Sequence, residues 1–158
     1  MNLPLRDTPD EDTLDFGDLN ASLGFLLRVA QLQAFDSFYA AFDATQMKPG
    51  EFTVLRLIGL NPGRRQGVIA KALRIKPAHM TKLIQRMVDA GYVEREATPE
   101  DRRSVTLSLT RDGQRFVDHQ QTTLKNLEIK DRSGFAPEEF DQILTLLKRY
   151  IAGNKRDD

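Results

Sequence analysis

Between Ala78 and Asp89, seven side chains recur at helical spacing on the side opposite an apolar stripe: Ala78, His79, Thr81, Lys82, Gln85, Arg86 and Asp89. Small or medium groups (Ala78, His79, Thr81) stand near the first turn, and the longer donors Lys82, Gln85 and Arg86 follow. This set holds no nucleophile beside a base, so its chemistry is hydrogen bonding and charge pairing. Short groups near the axis and long donors at the flanks suit a helix entering a major groove, where base edges and phosphates are the acceptors. Lys76, just before the helix, and Arg95, just after it, add positive charge. A second group follows in the stretch EATPEDRRSVTLSLT, where Asp101, Arg102 and Arg103 lie at the expected tip of a hairpin. A narrow minor groove favours an inserted arginine. Asp101 would repel phosphate, so its expected role is to pair with Arg103 or Arg95 and hold the loop, a geometric service because an exposed pair contributes only ~0 to 1 kcal/mol.

The charge distribution agrees with an anion-binding face. Lys+Arg and Asp+Glu are both 23, for a formal charge of zero. Residues 1–46 nevertheless carry two basic side chains against eight acidic ones, while residues 64–103 carry ten basic against five acidic. The local field, not the total, is what a polyanion meets. A solvated helix face would present Lys82 and Arg86 in the same way, and the order of the elements has to decide between the two.

Composition closes off other classes. There is no cysteine, so disulfides, thiolate metal sites and thiol nucleophiles are excluded. His79 and His119 are too far apart in sequence for a local zinc motif, and neither sits in an acid–base pair, so no metal, cofactor or catalytic residue is expected. No apolar run approaches the roughly 20 residues of a membrane span. The acidic start MNLPLRDTPDEDTLD lacks the basic and apolar regions of a signal peptide, and the expected location is the cytoplasm.

The elements that must position these groups can be read in order. Residues 1–15 are polar and form an expected arm. An apolar stripe through Leu19, Leu23, Leu26, Leu27, Ala30, Ala34, Phe38 and Phe42 predicts one long helix over 16–42. Pro49 and Glu51 open a second, with Phe52, Leu55 and Ile58 inward. After the turn Asn61-Pro62-Gly63, a short helix over 66–73 leads to a helix over 77–90, whose core stripe is Met80, Leu83, Ile84, Met87 and Val88 and which Gly91 ends. Strands near 92–95 and 105–109 make a two-stranded hairpin with the loop 97–104 at its tip. Thr110 caps a helix over 111–131, and Pro137 opens a last one with the stripe Phe140, Ile143, Leu144, Leu147 and Ile151. The fold class is mainly α with a small β-hairpin wing, a winged helix-turn-helix. Read without any resemblance, such a lobe could also serve as a protein-interaction module without DNA binding, although its mark would be a neutral or apolar recognition face.

The run Gln66 to Thr110, with PAHMTKLIQRMVDAGYVER, the wing EDRRS and the closing LSLT followed by RDGQ, resembles the MarR family of bacterial transcription regulators. The similarity spans roughly residues 18 to 152, and the family's wing signature, Asp, any residue, Arg, falls on Asp101, Arg102 and Arg103. The resemblance implies a homodimer on a pseudo-palindromic double-stranded operator. Residues 16–46 and 111–158 would dimerise, 47–110 would bind DNA, and the recognition helices would sit about 34 to 36 Å apart. It also implies that Arg103 enters the minor groove with Asp101 supporting it, while Ala78, His79, Thr81, Lys82 and Arg86 face the major groove. His79 departs from the small hydroxylated residue usual at its position.

Members of the family commonly sense small aromatic carboxylates, phenols or their thioesters between the dimerisation helices and the winged lobe. The matching residues would be Phe35, Phe38, Tyr39, Phe42 and Phe52, with Arg28 or Arg56 as anion anchor. The same aromatic stripe would serve simple packing. The lack of cysteine removes the peroxide-sensing branch.

Overall fold

The computed structural model describes residues 14–43, 47–98, 101–132 and 134–153, with backbone alone for 97–98 and 101–104. The chain divides into two compact units, Met1–Pro49 and Gly50–Asp158.

In the first unit, a 3-10 turn over Gly17–Ala21 precedes α1, Leu23–Phe42. The single helix expected over 16–42 is thus two elements. Ser22 adopts an extended backbone and its side chain accepts from the Phe25 amide at 3.4 Å, which makes it an N-cap and restarts the helix there. Phe16 packs on Phe25 across that joint, ring centroids 5.6 Å apart. Helix α1 is apolar around much of its circumference, yet Phe42 is its one buried residue; Leu23, Leu26, Leu32 and Tyr39 are exposed.

The second unit holds α2 (Pro49–Leu60, from its second residue), β1 (Arg64–Arg65), α3 (Gln66–Ala72), α4 (Pro77–Asp89), β2 (Val93–Thr98), β3 (Asp101–Leu109), α5 (Arg111–His119), α6 (Gln121–Arg132) and α7 (Pro137–Gly153). Its core is assembled from inward faces: Phe52, Val54, Leu55 and Ile58 of α2, Ile69 and Ala70 of α3, Met80, Leu83, Ile84 and Met87 of α4, with Val93, Leu107 and Val117. The methionines of α4 are therefore core residues, as their spacing predicts.

The sheet has three strands in the order β1-β3-β2, all antiparallel. Two residues of β1 were invisible to periodicity because a strand so short shows no alternation. They are recruited by Gly63, whose φ of +75° turns the chain so that its amide donates to the Leu107 carbonyl at 2.9 Å. The hairpin is also longer than expected. β2 runs to Thr98 and β3 starts at Asp101, so Arg102 and Arg103 belong to a strand and not to a loop. The register steps from Ala97↔Val105 to Thr98↔Asp101, which leaves Arg102, Arg103 and Ser104 as the surplus residues of an irregular stretch.

One junction ties α4 to the sheet and to α5. Gly91 (φ +76°) closes α4: its amide donates to the Val88 carbonyl at 2.9 Å, and the Tyr92 amide donates to the Met87 carbonyl at 2.9 Å. The Thr110 amide returns to the Tyr92 carbonyl at 3.0 Å, and its hydroxyl both donates to the Gly91 carbonyl at 2.6 Å and accepts from the Gly113 amide at 3.0 Å. This brings the first turn of α5 so close that a Cβ on Gly113 would lie 2.0 Å from the Tyr92 oxygen. The Tyr92 ring then stacks on Phe116 at 4.8 Å.

The helix expected over 111–131 is broken at Gln120, which continues into α6 through a single turn. The break is slight: the buried Gln120 still donates its amide to the Phe116 carbonyl at 3.1 Å and accepts from the Leu124 amide at 3.0 Å. Helix α7 starts where Pro137 predicts, with the Glu139 carboxylate accepting from the Ala136 amide at 2.9 Å. Its apolar stripe is not buried: Phe140, Leu144 and Leu147 are half-buried and Ile143 and Ile151 exposed, as are Leu146 and Tyr150 beside it.

Replacing Gly113 tests the junction. A glycine-to-alanine change inside a helix ordinarily stabilises by up to about 1 kcal/mol. Here Gly113→Ala must push the first turn of α5 off the Tyr92 carbonyl, and it is expected to cost about 1–3 kcal/mol, as overpacking does. Urea unfolding reads the sign directly, and a variant as stable as the parent would show that the close approach is not a constraint.

Candidate nucleic-acid interface

Helix α4 is seated on the core through Met80, Leu83, Ile84 and Met87, and this leaves its other side to solvent. Pro77 occupies the first helical position behind Lys76, which caps with extended backbone and no side-chain bond. Lys76, Ala78, His79, Thr81, Lys82, Gln85 and Arg86 are all exposed, so the structure gathers every α4 residue of the expected set on one accessible face.

Half of that face is pre-arranged by the protein itself. The Thr81 hydroxyl donates to the Pro77 carbonyl at 3.0 Å and accepts from Gln66 Nε2 at 3.0 Å, which pins the start of α3 against the recognition face. Gln85 is held from both sides: its Nε2 donates to Asp89 Oδ1 at 2.7 Å, and its Oε1 accepts from an Arg95 guanidinium nitrogen at 2.7 Å. Arg95 is thereby a brace between β2 and α4. Arg86 forms an ion pair with Glu51 in the first turn of α2. His79 and Lys82 have no hydrogen-bond or ion-pair partner among the described residues. A face of this kind offers two loose polar side chains, the medium His79 and the long Lys82, beside three groups with fixed direction.

Asp101, Arg102 and Arg103 lie on β3, and their side chains fall outside what the structure describes. The aromatic set is split between the two units. Arg28, Phe35, Phe38, Tyr39 and Phe42 are on α1, where Phe38 stacks on Phe42 with centroids 4.1 Å apart and meets Tyr39 edge-on at 6.3 Å. Phe52 and Arg56 are on α2, and Phe52 is a core residue packed near Phe116 at 6.5 Å. His119 is exposed at the end of α5. Among the described residues, no group of His, Asp and Glu could hold a metal ion, and no helix is long and apolar enough to cross a membrane.

Sequence reasoning missed Glu51 and Gln66 as parts of this face, and also the exposed pair Arg64 and Arg65 of β1. Glu51 reads locally as a first-turn helix acid, and nothing in one sequence links it to a residue 35 positions away. The basic run Arg64-Arg65 was a visible signal, but its strand was not.

The arrangement has counterparts among known proteins. The sequence profile of the MarR family matches residues 45–104. The structure superposes on that of CouR, a transcriptional repressor, bound to a 23-mer DNA duplex, with a TM-score of 0.84, 29% identity and coverage of 89% of this chain and 99% of that one. CouR bound to p-coumaroyl-CoA matches with a TM-score of 0.79 and 26% identity over 90% of this chain and 99% of that one. The chain belongs to the MarR family. A Thauera aromatica protein whose name ties it to transcriptional regulation of the hcr operon is 27% identical over 84% of this chain and 81% of its own. The Escherichia coli homoprotocatechuate degradative operon repressor is 25% identical over 89% and 95%. The fold is that of a MarR-like winged helix, and the chain is a DNA-binding transcriptional regulator of that family. These relatives are regulators and not enzymes.

The held and the loose members of the α4 face differ in what they do for this MarR-family fold. Arg86→Ala removes an ion-pair partner from the mostly buried Glu51 and is expected to cost about 0.5–1 kcal/mol. Lys82→Ala touches nothing described and should stay within about 0.5 kcal/mol of the parent. Paired urea titrations measure the difference, and equal midpoints for the two variants would mean that the Glu51 pair contributes nothing to folding.

Proposed function

We propose that this MarR-family regulator is a ligand-responsive repressor that binds a pseudo-palindromic operator as a homodimer. The observation that carries the DNA assignment is the exposed polar face of α4, anchored from below by four buried apolar residues. Lys76, Ala78, His79, Thr81, Lys82, Gln85 and Arg86 meet the major groove. Arg95 holds Gln85 in place, and Arg102 or Arg103, with Asp101 beside them, serves the adjacent minor groove. Residues 47–110 form the DNA-binding lobe, and the protein works in the cytoplasm without catalysis or cofactor; the expected arm over 1–15 lies, but for its last two residues, outside the described residues.

Dimerisation is supported by apolar surface that the chain leaves uncovered. Helix α1 exposes Leu23, Leu26 and Leu32, and α6 and α7 expose Ile129, Leu146, Tyr150 and Ile151. Each fully buried side chain of this size contributes about 1.5–3 kcal/mol, so a self-complementary use of residues 16–46 and 111–158 has ample driving force. A small aromatic acid, phenol or thioester as effector is supported by the company the chain keeps, a repressor bound to p-coumaroyl-CoA and a homoprotocatechuate operon repressor. Such a ligand changes DNA occupancy only through different affinities for the DNA-competent and DNA-incompetent states.

Selection of duplexes from a randomised pool should yield one inverted repeat, bound by a dimer in sedimentation. Its affinity should fall steeply with log salt, the slope growing by about 0.9 for each phosphate neutralised. Lys82→Ala and Arg103→Ala should both weaken that duplex while leaving dimer and fold intact. Recovery of no preferred duplex, or of a monomer, would overturn this function, and parent-like binding by both variants would overturn the assigned face.

A further inference from the structure

The Arg86–Glu51 pair has an asymmetry that a simple surface salt bridge lacks. The Glu51 side chain is 17% exposed and the Arg86 side chain 56%. The carboxylate is thus embedded in the lobe and the guanidinium lies on its outer side. Glu51 is fixed on α2, in a first turn whose next residues, Phe52, Val54 and Leu55, are buried. The helix N-terminus also favours a negative charge there. The contact runs from one terminal nitrogen of Arg86 to one carboxylate oxygen. A guanidinium has five N–H donors in a rigid plane, so one bond to the carboxylate tethers the end of the Arg86 side chain near α2 while leaving other donors for a second acceptor.

We propose that Glu51 is a specificity-determining positioning residue: it aims Arg86 at a base edge in the major groove and denies it to the phosphates. This rests on the reading of α4 as the DNA-facing helix. An unrestrained arginine on a groove-facing helix has phosphate oxygens on both sides and contacts them on any sequence. A carboxylate beside a guanidinium offsets part of its charge, so its attraction to phosphate is reduced. Its remaining donors, tethered over the α4 face, still match the paired acceptors of a guanine. Glu51 therefore lowers binding to arbitrary duplex and sharpens preference for one sequence. The neighbours fit this division of labour: Lys82, without a described partner, supplies the sequence-independent attraction, while Thr81 and Gln85 are held by Gln66, Arg95 and Asp89.

The test compares two duplexes, the one that the parent selects from a randomised pool and a scrambled version of it. Glu51→Gln, which keeps shape and removes charge, should tighten binding to the scrambled duplex several-fold and lower the ratio of selected to scrambled affinity by about tenfold, within the range that one oriented base contact provides. Glu51→Asp keeps the charge but shortens the reach; it should leave scrambled binding near the parent's and still lower the ratio. In an Arg86→Ala background, which should itself lower the ratio, neither change should alter it further. A parent-like ratio for Glu51→Gln and Glu51→Asp, or an equal loss of ratio with and without Arg86, would overturn the positioning role while leaving the α4 reading intact. If instead Lys82→Ala and Arg86→Ala both bind the selected duplex like the parent, the α4 reading fails and this proposal fails with it. Urea midpoints for each variant separate these outcomes from loss of fold, and Glu51→Asp serves if Glu51→Gln does not fold.

Discussion

The approach of the α5 first turn to the Tyr92 carbonyl governs the geometry of the winged lobe. The angle between α4 and the wing is set where both leave from the same few residues. Gly91 ends α4 with a left-handed backbone, Tyr92 carries the chain into β2, and Thr110 brings β3 back to the same point through its amide and its hydroxyl. Only a residue without Cβ lets α5 come near enough for the Thr110 hydroxyl to cap its third amide. Four chain segments are thus locked by three hydrogen bonds and one missing methyl group, none of which uses a charge. No charged side chain takes part in the junction, so there is no ion pair in it for salt to screen.

The polar braces act on top of this apolar and backbone frame. Gln85 joins α4 to β2 through Arg95, and Thr81 joins α4 to α3 through Gln66. Such bonds between exposed groups contribute little net stability, because water competes for every partner. Their value is directional: they decide which way an amide or hydroxyl points before any ligand arrives. Order imposed in the free protein is order that binding does not have to create, and side-chain ordering ordinarily costs about 0.5–1.5 kcal/mol for each immobilised side chain.

Much of this was legible in the sequence, and the reasons differ by element. Helix α4 was readable because its two faces obey one period with almost no exceptions, and its ends carry Pro77 and Gly91. The core residues Phe52, Leu55 and Ile58 of α2 followed from the same rule. Boundaries failed where a local cap or a long-range bond outvotes periodicity: Ser22 restarts α1, Gln120 interrupts α5, and the Thr98↔Asp101 pair carries the strands past the expected loop. Strand β1 was illegible for a different reason, since two residues have no pattern and are ordered by β3. The face of α4 could be read as a set of types, but its internal bonding could not. Partners such as Glu51 and Gln66 are 35 and 15 residues distant and are chosen by the fold.

Electrical neutrality fits this view of the molecule. A strongly basic protein is drawn to any polyanion, and its specific site must compete with all other duplex for it. Here residues 64–103, with ten basic side chains against five acidic, are offset by residues 1–46, with two basic against eight acidic. Beyond a Debye length of about 8 Å at physiological salt, exposed charges are largely screened, so each patch acts for itself at contact range. Total charge then sets the weak long-range attraction, and local charge sets the strong short-range one. A neutral chain with a basic face keeps the second while giving up most of the first. Within that face, Asp89 accepts from Gln85 and Glu51 pairs with Arg86, so acids of the lobe already engage two of its donors.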